Sequence, residues 1–256
     1  MITSNLHTNA VALDRDAHRS LKLKLPVTDW GVASKLNAIF IAAVEFGDVA
    51  REYPIVFVRA GKDEAGKEMI APIAVLGLQQ EQNLYLDGPK WNANYVPAVI
   101  RSYPFAIGRI NAERFAICVD MAWPGTNQVD GDAMFTADGQ PTELLSGTQK
   151  HLELLEGEVQ RTREACQRLL EADVLRDMRF DAELPDGRKH TVDGFLTVDE
   201  TRLKELPDAT VVQLHRDGLL GLVHAHWMSL HHMQRLLQWH LERAPAAPAA
   251  PVAANS

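Results

Sequence analysis

Two Tyr-Pro dipeptides constrain the fold of this chain, because each predicts the end of a helical turn and the start of a strand. Residues 45–53 have the character of a short helical turn that ends at Tyr53, since a proline disfavours helical backbone angles in the residue before it. Residues 55–58, Ile-Val-Phe-Val, are β-branched or aromatic and favour a buried strand. The segment therefore predicts a helix that ends at Tyr53 and a strand that begins after Pro54.

The same pattern returns about fifty residues later, at residues 95–107. The corresponding residues are Arg51 and Arg101, Tyr53 and Tyr103, and Pro54 and Pro104. Each copy offers a helical turn, the motif Arg-x-Tyr-Pro, a strand, a loop and a second strand. We therefore expect quasi-repeated hairpins, although two copies are fewer than a repeat architecture needs.

Three hairpins and two long helices are predicted over the whole chain. The hairpin strands are expected at 55–58 and 70–78, at 105–110 and 114–120, and at 178–184 and 189–198. The third hairpin has Asp186-Gly187 at its turn, a dipeptide typical of tight hairpin turns. Apolar residues at alternating spacings of three and four predict a long amphipathic helix from Thr142 to about Asp173. A last helix is predicted over 219–243.

The expected fold class is therefore α+β, with a mixed or antiparallel sheet of quasi-repeated hairpins packed against two long helices. Residues 1–243 are expected to form a single domain, since 256 residues suffice for one large core. Residues 244–256 are an alanine–proline segment of low complexity, which we expect to be disordered or polyproline-like.

Charge and composition bear on the class of protein and its partners. The net charge of -8 argues against a nucleic-acid partner, because such proteins usually carry a basic face. The two cysteines, Cys118 and Cys166, fall in apolar segments and are typical of a reducing compartment. No stretch has the roughly 18 apolar residues of a membrane span, and no signal peptide is visible. We expect a soluble, cytoplasmic protein.

Histidines are frequent near the end of the chain, and His226 has the most informative position. With Leu230, Met233 and Leu237 it lies on the apolar stripe of the last predicted helix. A histidine there is either a hydrogen-bonded core residue or a functional residue that faces a pocket. No two histidines have the i, i+4 spacing of a zinc-binding helix, so we expect no metal. A dispersed metal or acid/base site that uses His18 and His226 stays open.

The two Arg-x-Tyr-Pro units allow a structural and a functional interpretation. Each tyrosine could cover the core while each arginine caps a helix end. Alternatively, the paired side chains converge on an anionic or peptide ligand, which arginine binds with two parallel hydrogen bonds. The candidate ligand-binding residues are Arg51, Tyr53, Arg101, Tyr103, His18 and His226. No Gly-x-Gly-x-x-Gly or Gly-x-Ser-x-Gly motif occurs, and we expect no cofactor.

Motifs along nearly the whole chain together resemble the bacterial SapC family, whose members are associated with surface (S-) layers. The matching segments are His18-Arg19-Ser20-Leu21, Glu45-Phe46, residues 52–57, Leu76-Gly77-Leu78 with Asn83-Leu84, Trp91 with Tyr95-Val96-Pro97, residues 101–105, Met134-Phe135 with residues 138–142, and residues 225–230. Only the segment after Arg243 falls outside this resemblance.

The resemblance implies little about chemistry, because the family has no established activity. Its members are often encoded near tryptophan halogenases and TonB-dependent receptors, which suggests the handling of peptides or metabolites. We therefore expect a soluble accessory protein that binds a peptide or protein partner in a surface-layer or peptide-modification pathway. The alternative is an enzyme with the dispersed site of His18 and His226. Neither catalytic residues nor an oligomeric state can be assigned from the sequence.

Overall fold

A computed structural model describes residues 2–110, 115–183 and 189–243 of the chain, and for residues 182, 183, 189 and 190 only the backbone. The strands are β1 (Ala10–Ala12), β2 (Lys22–Leu23), β3 (Ala38–Phe40), β4 (Ile55–Lys62), β5 (Glu68–Val75), β6 (Leu86–Asp87), β7 (Lys90–Trp91), β8 (Phe105–Arg109), β9 (Phe115–Asp120), β10 (Thr126–Asn127), β11 (Asp132–Ala133), β12 (Leu175–Glu183) and β13 (Lys189–Val198). The α-helices are α1 (Phe46–Val49), α2 (Ala98–Arg101), α3 (Glu143–Glu171), α4 (Glu200–Lys204), α5 (Asp208–Arg216), α6 (Leu219–Ser229) and α7 (His232–Arg243).

The strands form antiparallel sheets, which together with the helices confirm the α+β class. The largest sheet has the order β12-β13-β4-β5-β3, and a second has the order β1-β9-β8. Smaller sheets are formed by β10-β2-β11 and by β6-β7. One cluster of buried apolar side chains extends along the chain from Leu6 to Leu236 and joins these layers.

The three predicted hairpins are present as β4–β5, β8–β9 and β12–β13. As predicted, β4 begins directly after Pro54 and β8 directly after Pro104, each preceded by a short helix. The two hairpins belong to different sheets. The predicted turns at 111–113 and at Asp186-Gly187, and the alanine–proline segment 244–256, lie outside the described residues.

Helix α3 has the predicted position and the predicted buried face. The Thr142 hydroxyl accepts a hydrogen bond from the Leu145 N–H at 3.3 Å and so caps the first turn. Its buried side chains are those of the three-and-four spacing: Leu145, Leu152, Leu155, Val159, Thr162, Cys166 and Leu169. No helix among the described residues has both the length and the apolar character that a membrane span requires.

The prediction of a second long helix is wrong, because the segment 219–243 is divided into α6 and α7. Ser229 is the last residue of α6, and its hydroxyl donates to the His226 carbonyl at 2.6 Å. The same oxygen accepts from the Ile55 N–H at 2.9 Å, so the helix end is also tied to β4. A serine side chain that bonds a nearby backbone carbonyl competes with helical hydrogen bonds, which explains the interruption.

Candidate functional site

Tyr95 is the residue at which the two Arg-x-Tyr-Pro units meet. Its carbonyl accepts a hydrogen bond from the Tyr53 hydroxyl, and its N–H donates to a Glu52 carboxylate oxygen at 2.8 Å. Its hydroxyl donates to Glu45 Oε1 at 2.9 Å and accepts from Arg101 Nη2 at 3.3 Å. Three side chains of the first unit thus hold Tyr95, the first residue of the second unit, and Arg101 of the second unit contacts the Tyr95 hydroxyl.

The carboxylate of Glu45 is buried, with 4% of the residue exposed. Glu45 Oε2 accepts the Ala42 N–H at 2.8 Å, and Oε1 accepts the Ala98 N–H at 2.7 Å besides the Tyr95 hydroxyl. Buried carboxylates require such donors, because an unsatisfied buried charge is costly. Glu45 therefore connects the segment before α1 to the start of α2.

Glu52 holds the backbone on the other side of Tyr95. Its carboxylate accepts the Asn94 N–H at 2.9 Å, the Asn94 side-chain amide at 2.8 Å and the Tyr95 N–H. Partial burial raises the pKa of Glu52, but these hydrogen bonds from Asn94 and Tyr95 outweigh it, and the pKa is lowered. The ionised carboxylate fixes residues 94 and 95 against the end of α1.

A cluster of Tyr53, Tyr85 and Trp91 contacts the backbone of Tyr95 through the Tyr53 hydroxyl. The ring of Tyr53 is fully buried, its centroid lies 4.3 Å from that of Tyr85, and its hydroxyl accepts from Trp91 Nε1 at 2.7 Å. The Tyr85 hydroxyl donates to the Glu52 carbonyl at 2.6 Å. Burial raises the pKa of Tyr85 to about 12 and that of Tyr53 further, so both hydroxyls stay protonated. Tyr53 therefore positions Tyr95 and does not itself reach solvent.

An open cleft of about 580 Å³ lies over this arrangement and is lined by Asp48, Arg51, Glu52, Asn94 and Tyr95. We call it the Tyr95 cleft. The Arg51 side chain is 79% exposed, and Asp48 contacts it only at 3.8 Å. The Arg101 guanidinium lies 5.1 Å from the centroid of the Tyr95 ring. Arg51 thus lines the cleft together with Tyr95, whereas Arg101 contacts Tyr95 but is not among the residues that line the cleft.

Tyr103, the second tyrosine of the repeated motif, belongs to a different cluster. It is buried, and its hydroxyl donates to Asp120 Oδ2 at 2.9 Å. Asp120 also accepts the backbone N–H groups of Thr8 and Asn9, at 3.1 Å and 2.8 Å. Burial and the hydrogen bond to Asp120 raise the pKa of Tyr103. Tyr103 therefore fastens the N-terminal segment to the sheet of β8 and β9.

His18 lines a separate cleft of about 300 Å³, beside Asn9 and Val11. Its Nδ1 accepts the Asp14 N–H at 3.0 Å, so the neutral ring carries its proton on Nε2. None of the residues that line the Tyr95 cleft lines this second cleft. The structure therefore does not bring His18 together with the two arginines.

His226 is enclosed, with 0% of the residue exposed. Its Nδ1 donates to the Ile55 carbonyl at 2.8 Å, while Nε2 accepts the Val198 N–H at 3.2 Å and bonds the Thr197 hydroxyl at 2.9 Å. Burial lowers the pKa of His226 to about 4. Both ring nitrogens are satisfied, and this geometry favours the structural interpretation of the residue. None of these partners lines the cleft of His18, so no observation favours the combined acid/base site.

Two other kinds of site, a phosphate-binding loop and a metal site, are not supported by the geometry of the described residues. Residues 61–67 have the spacing Gly-x-x-x-x-Gly-Lys, but Glu68 follows where a phosphate-binding loop has Ser or Thr. The segment joins β4 to β5 in a hairpin, whereas a phosphate-binding loop joins a strand to a helix. Within the described ranges, no three or more His, Cys, Asp or Glu side chains group as metal ligands would.

Sequence reasoning missed the roles of Glu45, Glu52 and Tyr95. All three lie within or beside the Tyr-Pro motifs. However, each carboxylate is more than 40 residues away from Tyr95 along the chain. A signal was available, since a buried acid in an apolar segment such as Glu45-Phe46 needs several donors. The sequence does not show which donors these are.

Fold and site together define an α+β protein in which two acidic side chains hold a tyrosine that lines a cleft together with an arginine. The SapC family model matches residues 13–236 of the 256-residue chain. The chain therefore belongs to the SapC family, as its motifs indicated. Neither a curated protein nor a solved structure matches it.

Proposed function

We propose that this SapC protein is a cytoplasmic accessory protein that binds a peptide or protein partner through the Tyr95 cleft. The partner would contribute an acidic side chain or a C-terminal carboxylate, which Arg51 and Arg101 would bind. The surface-layer or peptide-modification pathway in this proposal comes from the family resemblance. The other candidate residues, Tyr53, Tyr103 and His226, would support the fold.

One observation carries the proposal: Arg51 lines the cleft of the half-buried Tyr95, Arg101 contacts the Tyr95 side chain, and among the described residues neither guanidinium has a carboxylate within hydrogen-bond distance. Arg51 contacts Asp48 only at 3.8 Å, and Arg101 contacts the Tyr95 hydroxyl and ring. Glu52 borders the same cleft, but its carboxylate oxygens are occupied by Asn94 and Tyr95. Both guanidinium groups therefore keep donors that a ligand carboxylate can use.

The chemistry of the cleft also suggests how a peptide would be oriented. The ring of Tyr95 offers an aromatic surface for an apolar part of the ligand. Asp48 is exposed and could accept a peptide N–H or a basic side chain once Arg51 turns to the ligand. A segment with an acidic residue beside an apolar one would satisfy these groups together.

Selection from a library of random peptides displayed on phage, with the full chain immobilised, tests the proposal. Peptides with acidic residues should be enriched, and their affinity should fall about tenfold or more in Arg51→Gln and Arg101→Gln, since a lost charge-assisted pair is worth roughly 1.5–3 kcal/mol. Arg161→Gln is the control, because Arg161 is an exposed arginine outside the cleft that also has an acidic residue three positions before it. Equal losses in all three variants, or no acidic enrichment, would contradict the proposal.

A further inference from the structure

The edge strand β1 has a pairing pattern that shows which of its backbone groups are unused. At one end the Met121 N–H donates to the Asn9 carbonyl at 2.9 Å, and at the other the Leu13 N–H donates to the Ile117 carbonyl at 2.8 Å. In an antiparallel pair, hydrogen-bonded and non-hydrogen-bonded positions alternate. The odd-numbered residues of β1 therefore point their N–H and C=O groups towards β9.

The even-numbered residues, Ala10 and Ala12, then point their N–H and C=O groups away from β9. No other strand pairs with β1 on that side among the described residues. Within the described part of the chain, no backbone hydrogen bond beyond the ladder involves either alanine. Ala12 is exposed and Ala10 half-buried, so two donors and two acceptors are available in a row.

Although β1 has only three residues, its edge lacks two of the features that prevent strands from pairing, charge and proline. Its sequence is Ala-Val-Ala, without charge or proline. By contrast β12, the edge strand of the largest sheet, carries Arg176, Asp177, Arg179 and Asp181. Charged side chains on an edge strand oppose the addition of another strand. Of these two edges, β1 is therefore the one open to a partner.

The cleft of His18 lies against one face of this strand. Asn9 and Val11 line it, and as alternate residues they extend from the same face of the strand. Leu21 and Met121 add apolar walls, and the Nε2–H of His18 adds a hydrogen-bond donor. The cleft can therefore take one side chain with an apolar stem and a polar, hydrogen-bond-accepting end.

We propose that an extended segment of a peptide partner adds to β1 as a fourth strand of the β1-β9-β8 sheet. Its backbone pairs with Ala10 and Ala12, and one of its side chains enters the cleft of His18. An extended peptide is the occupant that matches alternating N–H and C=O groups, because their spacing is that of a strand. The residues involved are separate from those of the Tyr95 cleft, so this site is independent of the proposed function.

The variant Ala12→Pro tests the site, since it removes an outward N–H and leaves the ladder to β9 intact. Proline is tolerated on an edge strand at such a position. The probes are peptides selected from the random phage library on the full chain, synthesised and titrated against each variant. We expect at least one selected peptide whose affinity falls tenfold or more in Ala12→Pro and is unchanged in the control Ala12→Ser, which keeps the N–H.

A second measurement uses the unaltered protein and so does not depend on the folding of a variant. The same peptide, N-methylated at one backbone nitrogen at a time, should lose affinity at every second position, because only alternate N–H groups face β1. Loss at consecutive positions, or no selected peptide that distinguishes Ala12→Pro from Ala12→Ser, overturns the proposal. If every selected peptide depends on Arg51 and Arg101 and none depends on Ala12, the proposal is overturned while the Tyr95 cleft stays supported.

Discussion

At the scale of single residues, His226 shows how a buried histidine can be fully accounted for. Its two ring nitrogens satisfy groups from β4 and β13, so the side chain joins α6 to the largest sheet. The apolar spacing of the sequence around His226 indicated that its ring could be buried. Its partners Ile55 and Thr197 lie 171 and 29 residues away, and such distant pairings are not encoded in a local pattern.

We predict that His226→Ala destabilises the protein by about 2–4 kcal/mol, because it leaves a cavity and orphans the buried partners of the ring. Urea unfolding followed by circular dichroism measures this change. His224→Ala is the control, since His224 lies on the same helix but is exposed. A loss no larger than that of the control would contradict the structural role of His226.

Stability should also depend on pH through this ring. The pKa of His226 is lowered by burial from 6.5 to about 4, so the unfolded chain binds the proton more readily. The contribution of the neutral His226 ring to the free energy of unfolding is complete above pH 6.5 and is lost as the pH falls towards 4. We predict that the free energy of unfolding falls by about 2 kcal/mol between pH 7 and pH 5 through this group.

The burial-lowered pKa values of His7 and His232 act in the same direction. The comparison that isolates His226 is therefore between the wild type and His226→Ala, measured by urea unfolding at both pH values. The variant should show the smaller pH dependence. Equal pH dependence in both proteins would show that His226 does not supply it.

At the scale of elements, the segment from β7 to α2 is held by the two carboxylates of the first unit. Glu45 and Glu52 together accept six hydrogen bonds, five of them from Asn94, Tyr95 and Ala98. The position of the Tyr95 cleft therefore depends on contacts between the two units. The similarity of the two units in sequence predicted their strands, but it did not predict the hydrogen bonds that join one unit to the other.

We predict that Glu45→Gln destabilises the protein by about 1–3 kcal/mol, because the amide N–H₂ group cannot accept the hydrogen bonds that a carboxylate oxygen accepts. Asp48→Asn is the control: Asp48 is exposed, and loss of its contact with Arg51 should cost less than about 0.5 kcal/mol. Thermal unfolding of both variants measures the difference. Similar melting temperatures would argue against Glu45 as the link between the units.

The elements that were predicted correctly have strong local signals. Proline sets the starts of β4 and β8, and a regular apolar spacing defines α3. The break between α6 and α7 was missed because the Ser229 hydrogen bonds at the end of α6, one local and one to β4, do not alter the apolar pattern. Ser229 bonds the Ile55 N–H of β4, and apolar periodicity continues across the interruption.

At the scale of the whole molecule, the alanine–proline segment 244–256 lies outside the described residues, and its prediction rests on composition. Such a sequence buries little apolar surface. We predict that removal of residues 244–256 leaves the melting temperature unchanged within a few degrees, as measured by scanning calorimetry. A larger decrease would show that the segment packs on the domain that we propose for residues 1–243.

The net charge of the whole chain affects how an acidic ligand binds in the Tyr95 cleft. The net charge is -8, so the chain as a whole repels acidic ligands. Asp48 and Glu52 also line the cleft, so Arg51 and the neighbouring Arg101 would bind an acidic ligand beside these two carboxylates. Binding of an acidic peptide there should weaken with added salt, because exposed charges are screened.

The measurement that tests the central claim most directly is a nuclear magnetic resonance titration of the arginine Nε–H signals with a selected acidic peptide. The account predicts that the signals of Arg51 and Arg101 shift together with the backbone amide of Tyr95, while that of Arg161 stays in place. Shifts confined to other parts of the chain, with Arg51 and Arg101 unaffected at saturation, would contradict it.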